Sequence, residues 1–211
     1  MSGKNKIIAI DGTTASGKGT LAKRLADYFD LPYLNTGLLY RSVAYYFYKN
    51  NLDYSDNNFV IDNLSKISFD NLDNPELSLE SVGSIASKVA VIPEVRKFLF
   101  NFQVDFSKNE KGAVLDGRDI GTVICPQASY KFFVIADAKI RAERRYKEMI
   151  EKGFNADYDA ILKKIVERDK NDFERKESPL KKAEDAIEID TSNLTREGVF
   201  LEALKYIDIQ K

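Results

Sequence analysis

An α/β fold, with a parallel sheet and helices on both of its faces, is predicted by three features of the sequence. The apolar run Ile7-Ile8-Ala9-Ile10 leads into Gly12-Thr13-Thr14-Ala15-Ser16-Gly17-Lys18-Gly19-Thr20, and a helical pattern follows directly. Short apolar runs then alternate with amphipathic segments, the rhythm of parallel strands joined through helices. Finally, Ala113-Val114-Leu115-Asp116 reads as a buried strand ending in a carboxylate and opening into a loop bounded by glycines.

Taken in order, Ile7–Asp11 is the first strand and Lys18–Asp30 the first helix, with Leu21, Leu25, Tyr28 and Phe29 on its buried face. Pro32-Tyr33-Leu34 is a short extended piece. Gly37–Asn50 is helical, and its cluster Tyr45, Tyr46, Phe47 and Tyr48 is read as packing surface in preference to a base-stacking platform. Residues 51–82, rich in Asn, Asp and Ser, form a small insert. Within it Lys66–Asp70 and Glu76–Glu80 alternate polar and apolar residues, which predicts half-exposed antiparallel strands with Asn71–Pro75 as their turn. Pro93 opens a helix reaching Ser107. The strands Ala113–Asp116 and Tyr130–Ala136 follow, then charged helices over Ala138–Lys152, ended by Gly153, and Tyr158–Phe173. Ile187–Asp190 is the last strand and Thr195–Ile207 the last helix.

Composition narrows the function. The 211 residues are 44% hydrophobic with a net charge of −1, so a real core is available and no global basic field recruits nucleic acid. There is no histidine, which removes Ser-His-Asp and Cys-His chemistry and histidine-ligated metal sites. Phosphoryl transfer survives that loss, because it depends on positioning and on charge stabilisation by Lys, Arg and Mg²⁺. The lone Cys125 cannot form an intramolecular disulfide, and neither a secretory signal nor a membrane span is visible. A single cytoplasmic domain over residues 1–211, acting as a monomer, is expected.

Strand, glycine-bounded loop and helix start form a phosphate cradle: loop amides converge on an anion, the helix end adds partial positive charge, and Lys18 reaches the outer phosphates. Gly12, Thr13, Thr14, Ala15, Ser16, Gly17, Lys18, Gly19 and Thr20 are therefore candidate nucleotide-binding residues. The hydroxyl that ordinarily follows the lysine is replaced by Gly19, which leaves Thr20 or no side chain in that role. Asp116 either orders Mg²⁺ through water or opens the turn at Gly117; the cradle beside it favours the first reading. Arg118 and Asp119 project from a loop at the carboxyl edge of the sheet, where open α/β sheets bind ligands. Arg41 and Arg96 lie near segments expected to border the same edge. A single helical arginine such as Arg141, Arg144 or Arg145 is read as part of a solvated face. Arg168, Asp172 and Arg175 can share one helix face if that helix reaches Arg175. Residues 138–177 are read as a mobile cover that excludes water from a phosphoryl donor.

These residues resemble the bacterial cytidylate kinases, within the nucleoside monophosphate kinase group of P-loop kinases. The resemblance rests on Gly17-Lys18-Gly19-Thr20, Asn35-Thr36-Gly37 with Tyr40-Arg41, Asp116-Gly117-Arg118-Asp119-Ile120-Gly121-Thr122, and Arg168-Asp169 with Asp172, Arg175 and Ser178-Pro179-Leu180. It implies ATP as phosphoryl donor with Mg²⁺, and CMP or dCMP as acceptor. It further implies that 51–82 is the insert binding the monophosphate and 138–177 the lid. Lys18, Arg41, Arg118 and Arg175 would act on the phosphates, Thr36 would contact substrate, Ser87, Arg96 and Asp119 would read cytosine, and Arg168 and Asp172 would contact the sugar. A carboxylate at Asp119 suits the exocyclic amino group of cytosine and disfavours the carbonyl of uracil. The chain departs from the family at Asn35, where an acidic residue is common, at Thr36 in place of Ser, and at Ala15 in place of a frequent glycine. If position 15 has positive φ, Ala costs roughly 1 kcal/mol there. Two other readings remain at this point: a P-loop kinase for UMP, AMP or shikimate, and a nucleotide-binding regulator without acceptor-stimulated turnover.

Overall fold

A computed structural model of the protein describes residues 6–151 and 153–207. The expected helix end at Lys152 lies outside the described residues. The chain divides into two compact units: one comprises the chain up to Leu34 and from Ser107 onward, the other Asn35–Phe106.

The first unit is built on a five-stranded sheet, ordered β2-β3-β1-β4-β5. Its strands are β1 (Ile7–Gly12), β2 (Tyr33–Asn35), β3 (Ala113–Gly117), β4 (Tyr130–Ile135) and β5 (Ile187–Asp190). β1 pairs in parallel with β3 and with β4, and β4 with β5, so the α/β expectation is met. Its helices are α1 (Lys18–Phe29), α6 (Ala138–Glu151), α7 (Tyr158–Glu174) and α8 (Arg196–Leu204); the second unit carries α2 (Thr36–Lys49), α3 (Asn57–Asn63), α4 (Glu80–Val89) and most of α5 (Pro93–Ser107). Continuous apolar runs make the central strands because both faces are covered. Ile8 and Ile10 of β1, Val114 of β3, Phe132 and Val134 of β4 and Ile189 of β5 pack with Leu21, Ala22, Leu25 and Ala26 of α1 and Val199, Phe200 and Ala203 of α8.

Tyr28 departs from the expected face of α1: it is 52% exposed. Ala22 and Ala26 join Leu21 and Leu25 in the core, which turns the centre of the buried stripe away from Tyr28. The tyrosine instead edges against Phe29 and Phe200 at the rim.

The order of strands positions the site. β1 leaves toward β2 on one side of itself and β4 leaves toward β5 on the other, so the order reverses between neighbouring β1 and β4. The register sets Gly12 opposite Val134, Asp116 opposite Ile10, and Asp190 opposite Ile135. The loops after β1, β3 and β5 therefore leave from one edge of the sheet.

The antiparallel strands expected within 51–82 do not form. The segment instead holds α3, 3₁₀ turns at Leu64–Lys66 and Pro75–Ser78, and an irregular stretch between them. Asp56 caps α3 by accepting from the amides of Asn58 and Phe59, and Asn74 accepts from the Glu76 amide to start the second turn. Polar–apolar alternation at 66–70 survives as one-sided burial: Phe69 packs on Phe98 and Phe102 without any partner strand. Each alternating run was only five residues long, and side-chain caps outcompeted so short a ladder. The helix α4 went unread, although Val82, Ile85, Ala86 and Val89 have helical spacing and are buried. Of the aromatic cluster on α2, Phe47 is fully buried with Tyr46 and Phe59 against it, as packing predicts, while Tyr48 is exposed.

Candidate active site

The loop after β1 is shaped by close backbone approach. A Cβ on Gly12 would sit 2.0 Å from the carbonyl oxygen of Val134, so only glycine fits. Thr13 donates its amide to that carbonyl at 3.3 Å. Ala15 adopts the left-handed φ of +54° that its sequence position put in question. Gly17 caps α1 with no side-chain hydrogen bond, so no capping side chain takes up the first amides of the helix. Thr13 Oγ1 and Ser16 Oγ are buried without a hydrogen-bond partner among the described residues, as suits a loop that receives a polar ligand.

Lys18, at the first position of α1, donates to the Thr13 carbonyl at 3.4 Å. Burial, then the neighbouring charge of Arg118, lowers its pKa from 10.5 to about 7; Arg168 adds to the effect, while Asp116 and Asp172 oppose it. A lysine among arginines is a place prepared for negative charge.

Asp116 is buried at the end of β3 and accepts from the Tyr33 hydroxyl at 2.6 Å. Burial raises its carboxyl above the ordinary value, against the pull of Lys18 and that hydrogen bond. Asp11, the last residue of the first expected strand, performs a task that sequence reasoning missed. Its carboxylate accepts the amides of Ile120 at 2.8 Å and Gly121 at 2.7 Å. Burial outweighs those two hydrogen bonds and pushes its pKa to about 7. The anchored segment, Ile120–Ile124, is a single π-type turn in which the Cys125 amide donates to the Ile120 carbonyl at 2.6 Å. Asp119, buried, stands at the start of this turn, and its carbonyl accepts from the amides of Val123 and Ile124.

Asp172 on α7 stands against two arginines of the first unit. Arg118 Nε donates to its Oδ2 at 2.6 Å, and Arg175 Nη1 lies 3.8 Å from its Oδ1. Burial would raise this carboxyl, yet Arg118, with Arg168 and Arg175, holds it below the ordinary value. The helix itself stops at Glu174, one residue short of Arg175. Arg175 is brought back to Asp172 by a bond from its Nε to the Ser178 carbonyl at 2.8 Å. The solvated-face reading of the α6 arginines holds for Arg145, which pairs with Glu148, and fails for Arg141, which is 4% exposed. Arg141 reaches the loop carbonyl of Thr14 and the carboxylate of Asp169, and Arg144 binds Thr191 just past β5. Spacing within a helix does not reveal partners so distant in the chain. Asp11 did carry a signal, since it closes an apolar run as Asp116 does.

The remaining expected residues lie in the second unit. Thr36 opens α2 and is buried. Arg41 donates to the carbonyls of Leu77 at 2.5 Å and Leu79 at 3.1 Å, and its guanidinium occupies the space over Gly83, where a Cβ would come within 2.6 Å of Nη2. Ser87, one turn further along α4, donates to the Gly83 carbonyl at 3.2 Å. Arg96 of α5 donates to the Ala90 carbonyl at 3.3 Å and lies 5.7 Å from the centre of the Tyr40 ring.

Among the described residues no group of three or more acidic, histidine or cysteine side chains is assembled to hold a metal. The donor set fits a cation carried mainly by phosphate oxygens and water, with Asp116 as the carboxylate at hand. A glycine-rich loop and its lysine at the carboxyl edge of a parallel sheet, beside buried arginines and carboxylates, define a P-loop α/β protein that binds phosphate groups.

The sequence profile described as "Cytidylate kinase" matches residues 8–209. The cytidylate kinase of Bartonella tribocorum is 46% identical over 202 residues, covering 96% of this chain and 94% of its own. That of Brucella suis biovar 1 is 45% identical over 202 residues, covering 96% and 92%. An uncharacterized protein from Eubacterium ventriosum, solved by crystallography, shares the fold with a TM-score of 0.56 at 19% identity over 97% of this chain and 99% of that one. The chain belongs to the cytidylate kinase family.

Proposed function

We propose that the protein is an ATP-dependent phosphotransferase that moves the γ-phosphoryl group of ATP to CMP or dCMP, giving ADP and CDP or dCDP, in pyrimidine nucleotide metabolism. Family membership supports the reaction and its substrates. The observation that carries it in this chain is electrostatic: Lys18 is half-buried at the start of α1, and desolvation with the charges of Arg118 and Arg168 depresses its pKa, a repulsion that a polyphosphate relieves.

An oxygen of the acceptor's 5′-phosphate attacks the γ-phosphorus of ATP in line, the new P–O bond forms, and the bond to the β-phosphate oxygen breaks to release ADP. The acceptor is already ionised, so no protein base is required, in keeping with the absence of histidine. Gly12–Thr20 hold the triphosphate, with Lys18 on its outer oxygens. Arg41, Arg118 and Arg175 hold the acceptor phosphate and the moving group. Ser87, Arg96 and Asp119 read the base, Arg168 and Asp172 bind the sugar, and Thr36 contacts the acceptor. Asp116 would order Mg²⁺ through water, and the bound ion would supply charge neutralisation of the donor phosphates. Residues 51–82 serve acceptor binding, and 138–177 cover the donor and keep water away.

The setting we propose is cytoplasmic, supported by a sole cysteine that is buried and free. Among the described residues no helix is long and apolar enough to cross a membrane. We further propose a monomer with no nucleic acid as partner; a net charge of only −1 offers no global basic field for nucleic acid. ADP release measured against CMP, dCMP, UMP, AMP and shikimate tests the reading. Turnover stimulated by CMP and dCMP above the others is expected. Preference for another acceptor overturns the substrate, and ATP binding without any acceptor-stimulated turnover overturns the reaction.

A further inference from the structure

We propose that Arg141 and Thr191 are positioning residues of the phosphate loop, each fixing one of its peptide groups so that the amides of Ala15 and Gly17 face the anion before it arrives. The inference rests on the reading that this loop holds the triphosphate of ATP.

The loop bends at Ala15, whose φ of +54° is costly for a residue with a Cβ and persists only where its surroundings enforce it. The two carbonyls flanking that residue are both held from outside the loop. Thr14 O accepts from Arg141 Nη1 at 2.9 Å, and Ser16 O accepts from the Thr191 hydroxyl at 2.8 Å. Among the described residues no peptide bond is cis, so the N–H of Ala15 points opposite to the Thr14 carbonyl and the N–H of Gly17 opposite to that of Ser16. Two carbonyls drawn outward thus present two amides inward.

Both clamps are themselves rigid. Arg141 is 4% exposed, and its Nε donates to Ala136 O at 2.8 Å while Nη2 donates to Asp169 at 2.5 Å. Thr191 is 2% exposed, and its amide donates to Ile135 O at 2.9 Å. Its hydroxyl oxygen accepts from Arg144 Nη1 at 3.1 Å, which leaves the hydroxyl proton for Ser16 O. Because β4 and β5 are paired with Ile135 beside Asp190, both clamps leave from adjacent strand ends. A donor array set in advance pays no reorganisation cost when the anion binds.

The test is calorimetric titration of ATP, of tripolyphosphate and of CMP into the full chain and its variants. Thr191→Val keeps the shape and removes the hydroxyl. It is expected to weaken ATP and tripolyphosphate about tenfold, the size of one lost net hydrogen bond, with CMP affinity changed by less than about twofold. Thr191→Ser, which keeps the hydroxyl, is expected to restore ATP affinity to within about threefold of the parent. Arg141→Gln removes the other clamp and is read in the same way. In turnover the KM for ATP rises while the KM for CMP does not. Unchanged polyphosphate affinity in both Thr191→Val and Arg141→Gln overturns the proposal and leaves the loop as the ATP site. Equal weakening of CMP and ATP also overturns it, since general loss of structure has no reason to spare one substrate. A parent protein that binds neither ATP nor tripolyphosphate overturns the triphosphate reading together with it.

Discussion

Lys18 starts α1 half-buried, within reach of the charges of Arg118 and Arg168, and its pKa of about 7 makes its charge conditional on what it meets. A polyphosphate favours the ammonium form and raises that pKa. At pH 8 the free protein holds Lys18 largely neutral, so ATP binding takes up close to one proton; at pH 6 the lysine is already charged and the uptake vanishes. Calorimetry at both pH values in buffers of different ionisation enthalpy measures this, and a pH-independent proton count would assign the charge change elsewhere. Lys18→Met is expected to remove most turnover with the circular dichroism spectrum unchanged; near-normal kcat would contradict the role. Asp119 is a buried carboxylate at the mouth of a turn. Its replacement in Asp119→Ala is expected to abolish preference for CMP over UMP, read as the ratio of kcat/KM values, because the acceptor that favours an amino group over a carbonyl is gone.

The elements that carry these side chains are held by bonds between strand ends and loops. Asp11, at the end of β1, accepts two buried amides of the turn after β3 and so sets the direction in which Arg118 and Asp119 leave the sheet. Asp11→Asn offers one acceptor in place of two and turns an amide N–H toward a backbone N–H. A loss of about 1–3 kcal/mol in urea unfolding is expected. The pH dependence has a definite sign. The folded pKa of about 7 stands above the ordinary 3.8, so the native state holds a proton that the unfolded chain has lost between those values. Stability from this carboxyl is full below about 4 and declines as pH rises through about 7. Unfolding midpoints compared at pH 5 and pH 7.5 should show that decline in the parent and a flatter profile in Asp11→Asn. On α7, Asp172 keeps Arg118 and Arg175 partly neutralised; the helix end at Glu174 followed by the Arg175–Ser178 bond makes this possible.

Across the whole chain, ligands that bind only the folded state add stability by mass action. ATP at about a hundredfold above its dissociation constant contributes about 2.7 kcal/mol, and CMP the like. For a chain of 211 residues this corresponds to a rise in Tm of about 5–10 °C, measurable by differential scanning calorimetry. UMP at the same concentration should give a smaller rise, and equal rises would remove the basis for base selection. Much of the architecture could be read from local pattern. Apolar runs marked β1, β3, β4 and β5, Pro93 marked the start of α5, and the spacing of Gly12, Gly17 and Lys18 marked the loop, because each signal lies within a few neighbouring residues. The insert was misread where five-residue alternation competed with the caps at Asp56 and Asn74. The supports of the loop could not be read in this way. Asp11 meets Ile120 across 109 residues, Arg141 meets Thr14 across 127, and Thr191 meets Ser16 across 175. Motif chemistry is written in contiguous residues, whereas the partner of a buried charge or carbonyl is chosen by which strand ends the parallel sheet sets side by side.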